Sequence, residues 1–474
     1  MTELGRFYIG GAWVEPLSTQ RFPVLNPATE EEIGGIVLGD ERDVDRAVAA
    51  ARDAFESYSR TSPAERIALL ERLLTLSSER REALAEAMTA EMGAPITMSR
   101  EVQADAAIGH LHGVLHALKQ QPLRETLYNG DVLVREPVGV CALITPWNWP
   151  INQIALKVLP ALAAGATCVL KPSEHTPLSA ALYAELIHDA GFPPGAFNMV
   201  QGDGATVGAA LARHPGVDMV SFTGSTRAGI AVSKAAADTV KRVTLELGGK
   251  SANIVFADCD LPQRVTASVQ ECMYNTGQSC DAPTRLLVER DCYADVLEIA
   301  QSAAEAIEVG DPAQEGDHIG PLFDRIQFDR VQSMIQIGLD EGARVLTGGP
   351  GRPPGFDRGW FVRPTVFADV TNDMAIARHE IFGPVLVIIP FDDEADAVRI
   401  ANDTPYGLAA FIQTGDPVRA ERVAARLRVG AVHINGGAYN YGSPFGGYKQ
   451  SGNGREGGLF GLEDYQEVKT LHFG

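Results

Sequence analysis

Three residues sit in settings where their side chains could do chemistry. Cys280 follows Asn275-Thr-Gly-Gln-Ser279, and the Gly-Gln-Ser turn lets a thiol point into a cleft. A helix opening just after Cys280 would depress the thiol pKa and favour the nucleophilic thiolate. Glu246 stands in Thr244-Leu-Glu-Leu-Gly-Gly249. Desolvation between leucines raises a carboxyl pKa toward neutrality, where a general base works well; the alternative is a side chain turned outward from a strand edge. Asn148 lies in Thr145-Pro-Trp-Asn-Trp-Pro150. A loop bearing Trp-Asn-Trp is expensive to expose, so it is buried or lines a pocket. The amide could donate to a developing oxyanion or simply satisfy nearby backbone.

Two further stretches suit a nucleotide. In Ser221-Phe-Thr-Gly-Ser-Thr-Arg-Ala-Gly229 a strand ends in a Gly-Ser-Thr turn that opens a helix. Such a helix start offers free N–H groups and a positive dipole end to a pyrophosphate. The spacing Gly224-x-x-x-x-Gly229 is not the usual dinucleotide fingerprint, and Gly202-Asp-Gly-Ala-Thr-Val-Gly208 is a glycine-rich competitor that reads equally as a turn. Lys171-Pro-Ser-Glu174 falls at the carboxyl end of an expected strand, where α/β sheets bind ligands. A carboxylate there can accept both hydroxyls of a ribose and repels a 2′-phosphate. Otherwise the pair is a solvated loop.

The elements that must position these residues alternate. Residues 7–15 read as a hairpin around Gly10-Gly11, 43–58 as a helix and 62–93 as one or two more. Residues 127–134, around Asn129-Gly130, read as another hairpin. From residue 138 the rhythm is strand, helix, strand, helix, with strands at 138–144, 167–171, 198–201 and 219–223. That rhythm predicts α/β architecture with a parallel sheet. A second α/β block follows Gly249, with strands at 251–256, 285–288, 384–390 and 431–434. Residues 348–359 read as a surface loop. Residues 465–473 alternate as a strand without an obvious partner nearby in sequence.

The chain has 474 residues, more than one core sustains, so at least two domains are expected. A formal net charge of −21 makes nucleic acid and anionic membrane poor partners. No signal peptide or membrane span is legible, which makes the cytoplasm the expected compartment. The cysteines at 141, 168, 259, 272, 280 and 292 make no CxxC pair or zinc spacing and are expected as free thiols. His110, His112 and His116 include an i, i+4 pair, but no third ligand is apparent, and no metal is expected.

Together, in order, these stretches resemble the aldehyde dehydrogenase superfamily. The resemblance runs along nearly the whole chain. It rests on Pro146-Trp-Asn-Trp-Pro150, Lys171-Pro-Ser-Glu174, Phe222-Thr-Gly-Ser-Thr226, Glu246-Leu-Gly-Gly-Lys250, Gly277-Gln-Ser-Cys280, Glu380-Ile-Phe-Gly-Pro384 and Pro444-Phe-Gly-Gly-Tyr-Lys449. It implies that Cys280 is the nucleophile, Asn148 the oxyanion amide and Glu246 the base that activates water. It implies NAD as cofactor, with Lys171 and Glu174 on the adenosine ribose beside Ser173. Trp147 and Ser225 would meet the pyrophosphate, flanked by Ile144, Thr145, Thr223 and Gly224. Glu380 would hold the nicotinamide ribose, with Phe382, Leu247 and Gly248 alongside.

The resemblance also implies a Rossmann-like cofactor domain (1–117 and 138–248), an α/β catalytic domain (249–464) and a small β oligomerisation element (118–137 and 465–474) in a homodimer or homotetramer. Its substrate tunnel maps to Trp149, Gln153, Leu156, Tyr274 and Phe445, with Tyr439 and Tyr441 on a loop. Leu156 stands where some members carry an arginine or a tryptophan. An apolar, aromatic or medium-chain aldehyde is therefore expected rather than an anionic semialdehyde, while Gln153 offers a polar spot for a hydroxyl or ring nitrogen. The rival readings are a catalytically silent structural or binding member of the fold, and a cysteine hydrolase, which would need a histidine base that the matched motifs lack.

Overall fold

The computed structural model describes residues 2–473. Met1 and Gly474, the outer ends of the first and last expected segments, lie outside the described residues. Two sheets dominate. The first has eight strands, in spatial order Gly452–Asn453, Arg242–Leu247, Met219–Gly224, Val140–Ile144, Thr167–Lys171, Phe197–Met199, Phe7–Ile9 and Ala12–Val14. Its five central strands are parallel, and helices cover both faces. That is why Val140–Ile144 and Thr167–Lys171 are buried at every position and read as unbroken apolar runs.

Chain order reverses beside Val140–Ile144. The chain next forms Thr167–Lys171 on one side and later Met219–Gly224 on the other. The loops leaving Ile144 and Gly224 thus straddle a topological switch point, the crevice where such sheets take ligands. The Gly224 turn forms as expected. Ser225 caps the helix Thr226–Ala236, its Oγ accepting from Ala228 N at 3.3 Å. Gly229 is required by packing, since a Cβ there would lie 2.7 Å from Leu247 Cδ2. The competitor at 202–208 is a π-type turn capped by Asp203 and running into the short helix Ala209–Arg213.

Residues 248–251 carry the chain to the second sheet. Its order is Arg344–Thr347, Thr365–Ala368, Val385–Phe391, Arg285–Glu289, Ala252–Val255, Ala409–Gln413 and Ala431–Ile434, parallel except for the first pair. Late in the chain, Gly452–Asn453 returns to edge the first sheet, and the helix Gly458–Asp464 packs on the helices Ala104–Gln120 and Pro150–Ala164. Of the expected hairpin, Arg124–Thr126 pairs with Val132–Pro137, which also pairs antiparallel with Gln466–Leu471. The tail strand's partner is therefore some 330 residues away in sequence, with Leu471 opposite Val132.

Candidate active site

Two cavities share Cys280 in their walls. One, about 490 Å³, is lined by Trp149, Gln153, Leu156, Tyr274, Phe445 and Cys280 among others. The other, about 230 Å³, is lined by Trp147, Asn148, Thr223, Gly224, Ser225, Glu246, Leu247, Gly248, Glu380, Phe382 and Cys280. Among the described residues, Cys280 alone lines both. The sequence-predicted substrate residues therefore all fall on the larger cavity, and most predicted cofactor residues on the smaller.

The loops around the thiol are fastened to each other. Asn275 and Thr276 hold the left-handed backbone conformation (φ 52° and 57°), which turns the chain sharply into the Gly-Gln-Ser segment. Asn148 Nδ2 donates to the Gln278 carbonyl at 2.9 Å, which uses one of its two N–H groups. Trp149 Nε1 donates to Ser279 Oγ at 2.9 Å. Gln278 Nε2 donates back to the Asn275 carbonyl at 3.1 Å, while its Oε1 accepts from Phe323 N at 3.0 Å.

The expected helix after Cys280 is absent. The chain turns and enters the strand Arg285–Glu289 instead. Pro283 disfavours a helical residue before it, which explains the extended path. With no helix dipole at work, burial pushes the half-buried thiol well above its usual pKa, and the Asp281, Glu380 and Glu246 carboxylates push the same way.

Glu246 is the penultimate residue of the strand Arg242–Leu247, only 3 % exposed, and neither carboxyl oxygen has a hydrogen-bond partner among the described residues. The inward reading holds. Burial raises its pKa well above the ordinary carboxylate range, with the Glu456 charge adding to the rise and Lys157 opposing it. Lys157 is wholly buried, pairs with Glu456 and donates to Ser221 Oγ at 3.2 Å. Gly446 makes room for the acid, since a Cβ there would sit 2.6 Å from Glu246 Oε1.

The smaller cavity gathers groups suited to the nicotinamide and pyrophosphate end of a dinucleotide. Thr223 Oγ1 is buried without a partner. Gly248 lets Glu380 close over the chain, since a Cβ would lie 2.3 Å from its Oε2. Glu380 Oε1 accepts from Gly249 N at 3.0 Å, and burial pushes its pKa up to about 7. Trp147 stacks on Phe323 (3.5 Å between centroids, 21°) with Phe382 edge-on at 5.6 Å. Ile144, Thr145, Lys171, Ser173 and Glu174 do not line this cavity; they form the neighbouring strand ends. There Lys171 Nζ holds Glu174 Oε2 at 3.0 Å, Thr145 N donates to the Lys171 carbonyl at 3.1 Å, and Ser173 Oγ accepts from His175 N at 3.3 Å.

Several lining residues were not found from sequence. Arg264, Ser268 and Glu271 reach the larger cavity from the helix Leu261–Met273, joined by Asp281 and His433. The spacing 264, 268, 271 marks one helical face, but a mixed polar stripe reads as solvent-facing unless the cavity is known. His110 is buried, within 2.8 Å of Asn152 Oδ1. Burial lowers its pKa to about 4.

Residues 13–471 match the model of the aldehyde dehydrogenase family. A Pseudomonas relative named 3-succinoylsemialdehyde-pyridine dehydrogenase is 52% identical over 472 residues, covering 99% of each chain. The solved aldehyde dehydrogenase of Bartonella henselae superposes with a TM-score of 0.98 at 48% identity, over 99% of both chains. Aldehyde dehydrogenase C of Pseudomonas syringae, solved as a cysteine-to-alanine mutant with NAD+ and octanal, gives 0.97 at 51% identity, over 98% of this chain and 96% of that one.

Proposed function

The chain belongs to the aldehyde dehydrogenase family as an NAD-dependent enzyme, and we propose that it oxidises an aldehyde to a carboxylate through a thioester on Cys280, hydrolysed with the help of Glu246. The observation that carries this reading is that Cys280 lines both cavities, which suits a sulfur with an aldehyde on one side and an oxidant on the other.

Cys280 thiolate adds to the aldehyde carbonyl, forming the C–S bond. The N–H of Asn148 left free by Gln278 and the Cys280 backbone N–H receive the oxyanion, each such donor being worth about 3 kcal/mol. NAD+, when bound, would supply the oxidant for loss of hydride from the thiohemiacetal carbon, leaving the thioester on Cys280. Glu246, without a partner of its own, takes a proton from water; the oxygen attacks the acyl carbon and the C–S bond breaks, returning the thiolate. The residues that would hold the cofactor are Thr223, Gly224 and Ser225 at the pyrophosphate, Glu380 and Phe382 at the nicotinamide end, and Lys171 and Glu174 at the adenosine ribose.

For the substrate, Trp149, Tyr274 and Phe445 form an aromatic wall, with Trp149 and Tyr274 6.2 Å apart, and Leu156 leaves space beside it. This supports an aldehyde with an apolar aromatic or medium-chain tail. The octanal bound by the Pseudomonas syringae relative and the pyridine in the other relative's name support the same class. The domain division expected from sequence stands as part of this proposal, as does a cytoplasmic location. The sheet of Arg124–Thr126, Val132–Pro137 and Gln466–Leu471, with Val468 61% exposed, supports a homodimer or pair of dimers built on that element. NADH formation across acetaldehyde, hexanal, benzaldehyde and succinic semialdehyde tests the reading. We expect hexanal and benzaldehyde to lead, and no NADH with any aldehyde would refute it.

A further inference from the structure

The larger cavity is richer in negative and lone-pair groups than an apolar tail requires. Glu271 and Asp281 both line it; burial raises the pKa of each, and the His433 imidazole on the same wall opposes that rise without closing an ion pair to either among the described residues. Asp281 directly follows the nucleophile, where its charge opposes formation of the Cys280 thiolate. Gln153 lines the same cavity, is 4% exposed, and its Oε1 has no hydrogen-bond partner. Gln413 donates its Nε2 to Asn253 Oδ1 at 3.1 Å and leaves its buried Oε1 unmet. A buried acceptor with no donor or cation is costly, and a ligand that supplies one recovers that cost. Ring faces complete the wall: Tyr274 and Trp149 on one side, Tyr439 edge-on to Phe445 at 6.1 Å on the other. Aromatic faces attract cations.

We propose that the medium-chain tail, its methylenes against the aromatic wall, ends in a cationic nitrogen held between Glu271, Asp281 and the lone amide oxygens of Gln153 and Gln413. This rests on the reading of Cys280 as the site of aldehyde attack. The net charge of −21 draws such substrates toward the protein. Arg264 also reaches the cavity, but its Nη1 donates to the Asn435 carbonyl at 2.7 Å. It stands seven residues from Glu271 on one helix, about 10 Å along the axis. Arg264 is thus about two helical turns from Glu271, with its guanidinium turned to the loop at Asn435.

The test compares kcat/KM for 4-(trimethylammonio)butanal with that for its neutral isostere 5,5-dimethylhexanal, and with succinic semialdehyde as the anionic arm. The cationic aldehyde should lead its isostere by about tenfold at low ionic strength, and salt should narrow the gap. Glu271→Gln and Asp281→Asn should each lower the cation-to-neutral ratio several-fold. A purely structural role would change both aldehydes alike and leave the ratio where it was. A wild-type ratio at or below one, with NADH formed from both, overturns the cation site while leaving the dehydrogenase reading intact. Succinic semialdehyde in the lead overturns it in favour of Arg264. No NADH from any of the three would instead refute the underlying dehydrogenase reading, and this inference with it.

Discussion

Asn275 Nδ2 donates to the Asn148 carbonyl at 2.9 Å, so the loop that carries the proposed nucleophile and the loop that carries the oxyanion amide hold one geometry. The Asn148 side chain returns the tie through Gln278. In the proposed mechanism Asn148 has two roles, as loop tie and as oxyanion donor, and Asn275 has one.

Asn148→Ala removes a donor from the oxyanion as well as a loop tie, and should lower kcat by about 100-fold or more. Asn275→Ala removes only positioning, in a left-handed backbone slot that alanine fills poorly. It should cost less in kcat and leave the KM for NAD+ unchanged. Steady-state kinetics of both variants with one aldehyde check the order. Equal losses would mean that Asn148 is no more than a tie.

Glu246→Gln should separate the two half-reactions. In the proposed mechanism, acylation of Cys280 needs the thiolate and the amide donors, whereas hydrolysis needs the base. A rapid-mix trace should show one burst of NADH, about one per active site, followed by near silence. Loss of the burst as well would assign Glu246 to acylation or to structure.

What the sequence revealed and what it hid divide along physical lines. Thr167–Lys171 was legible to the residue because a strand buried on both faces is apolar throughout. Its last residue, Lys171, and the Gly224 turn were legible because strand ends carry their own punctuation. The partner of Gln466–Leu471 was not, since pairing across the whole chain leaves no local trace. The reading of a helix after Cys280 gave too little weight to Pro283. Arg264 and Glu271 were missed because a polar helical face turned toward a cavity has the same pattern as one turned toward water.

Glu174 should set cofactor choice. Held by Lys171 at 3.0 Å, its carboxylate can accept two ribose hydroxyls and repels a 2′-phosphate. The wild type should prefer NAD+ over NADP+ in kcat/KM. Glu174→Ala should narrow that gap by worsening NAD+ and easing NADP+. A wild type that prefers NADP+ would contradict the assignment.

The pH profile has a defined sign. Burial raises the Cys280 thiol and the Glu246 carboxyl above their ordinary values, and both react as conjugate bases. Glu380, pushed up to about 7, also gains its charge as pH rises. Activity should therefore climb as pH rises through about 7, where Glu380 gains its charge, and go on rising into the alkaline range. Profiles of kcat and kcat/KM for the wild type check this. A maximum below neutrality would contradict the raised values.

The most direct test of covalent catalysis at the junction of the two cavities is Cys280→Ser. A hydroxyl in place of the thiol keeps the shape of the site but forms almost no anion near neutral pH. Single-turnover mixing of the variant with NAD+ and hexanal should give no burst of NADH and a kcat reduced by about 1000-fold or more, with NAD+ affinity unchanged by titration. A variant that keeps near-wild-type turnover would place the nucleophile on another residue and contradict the account.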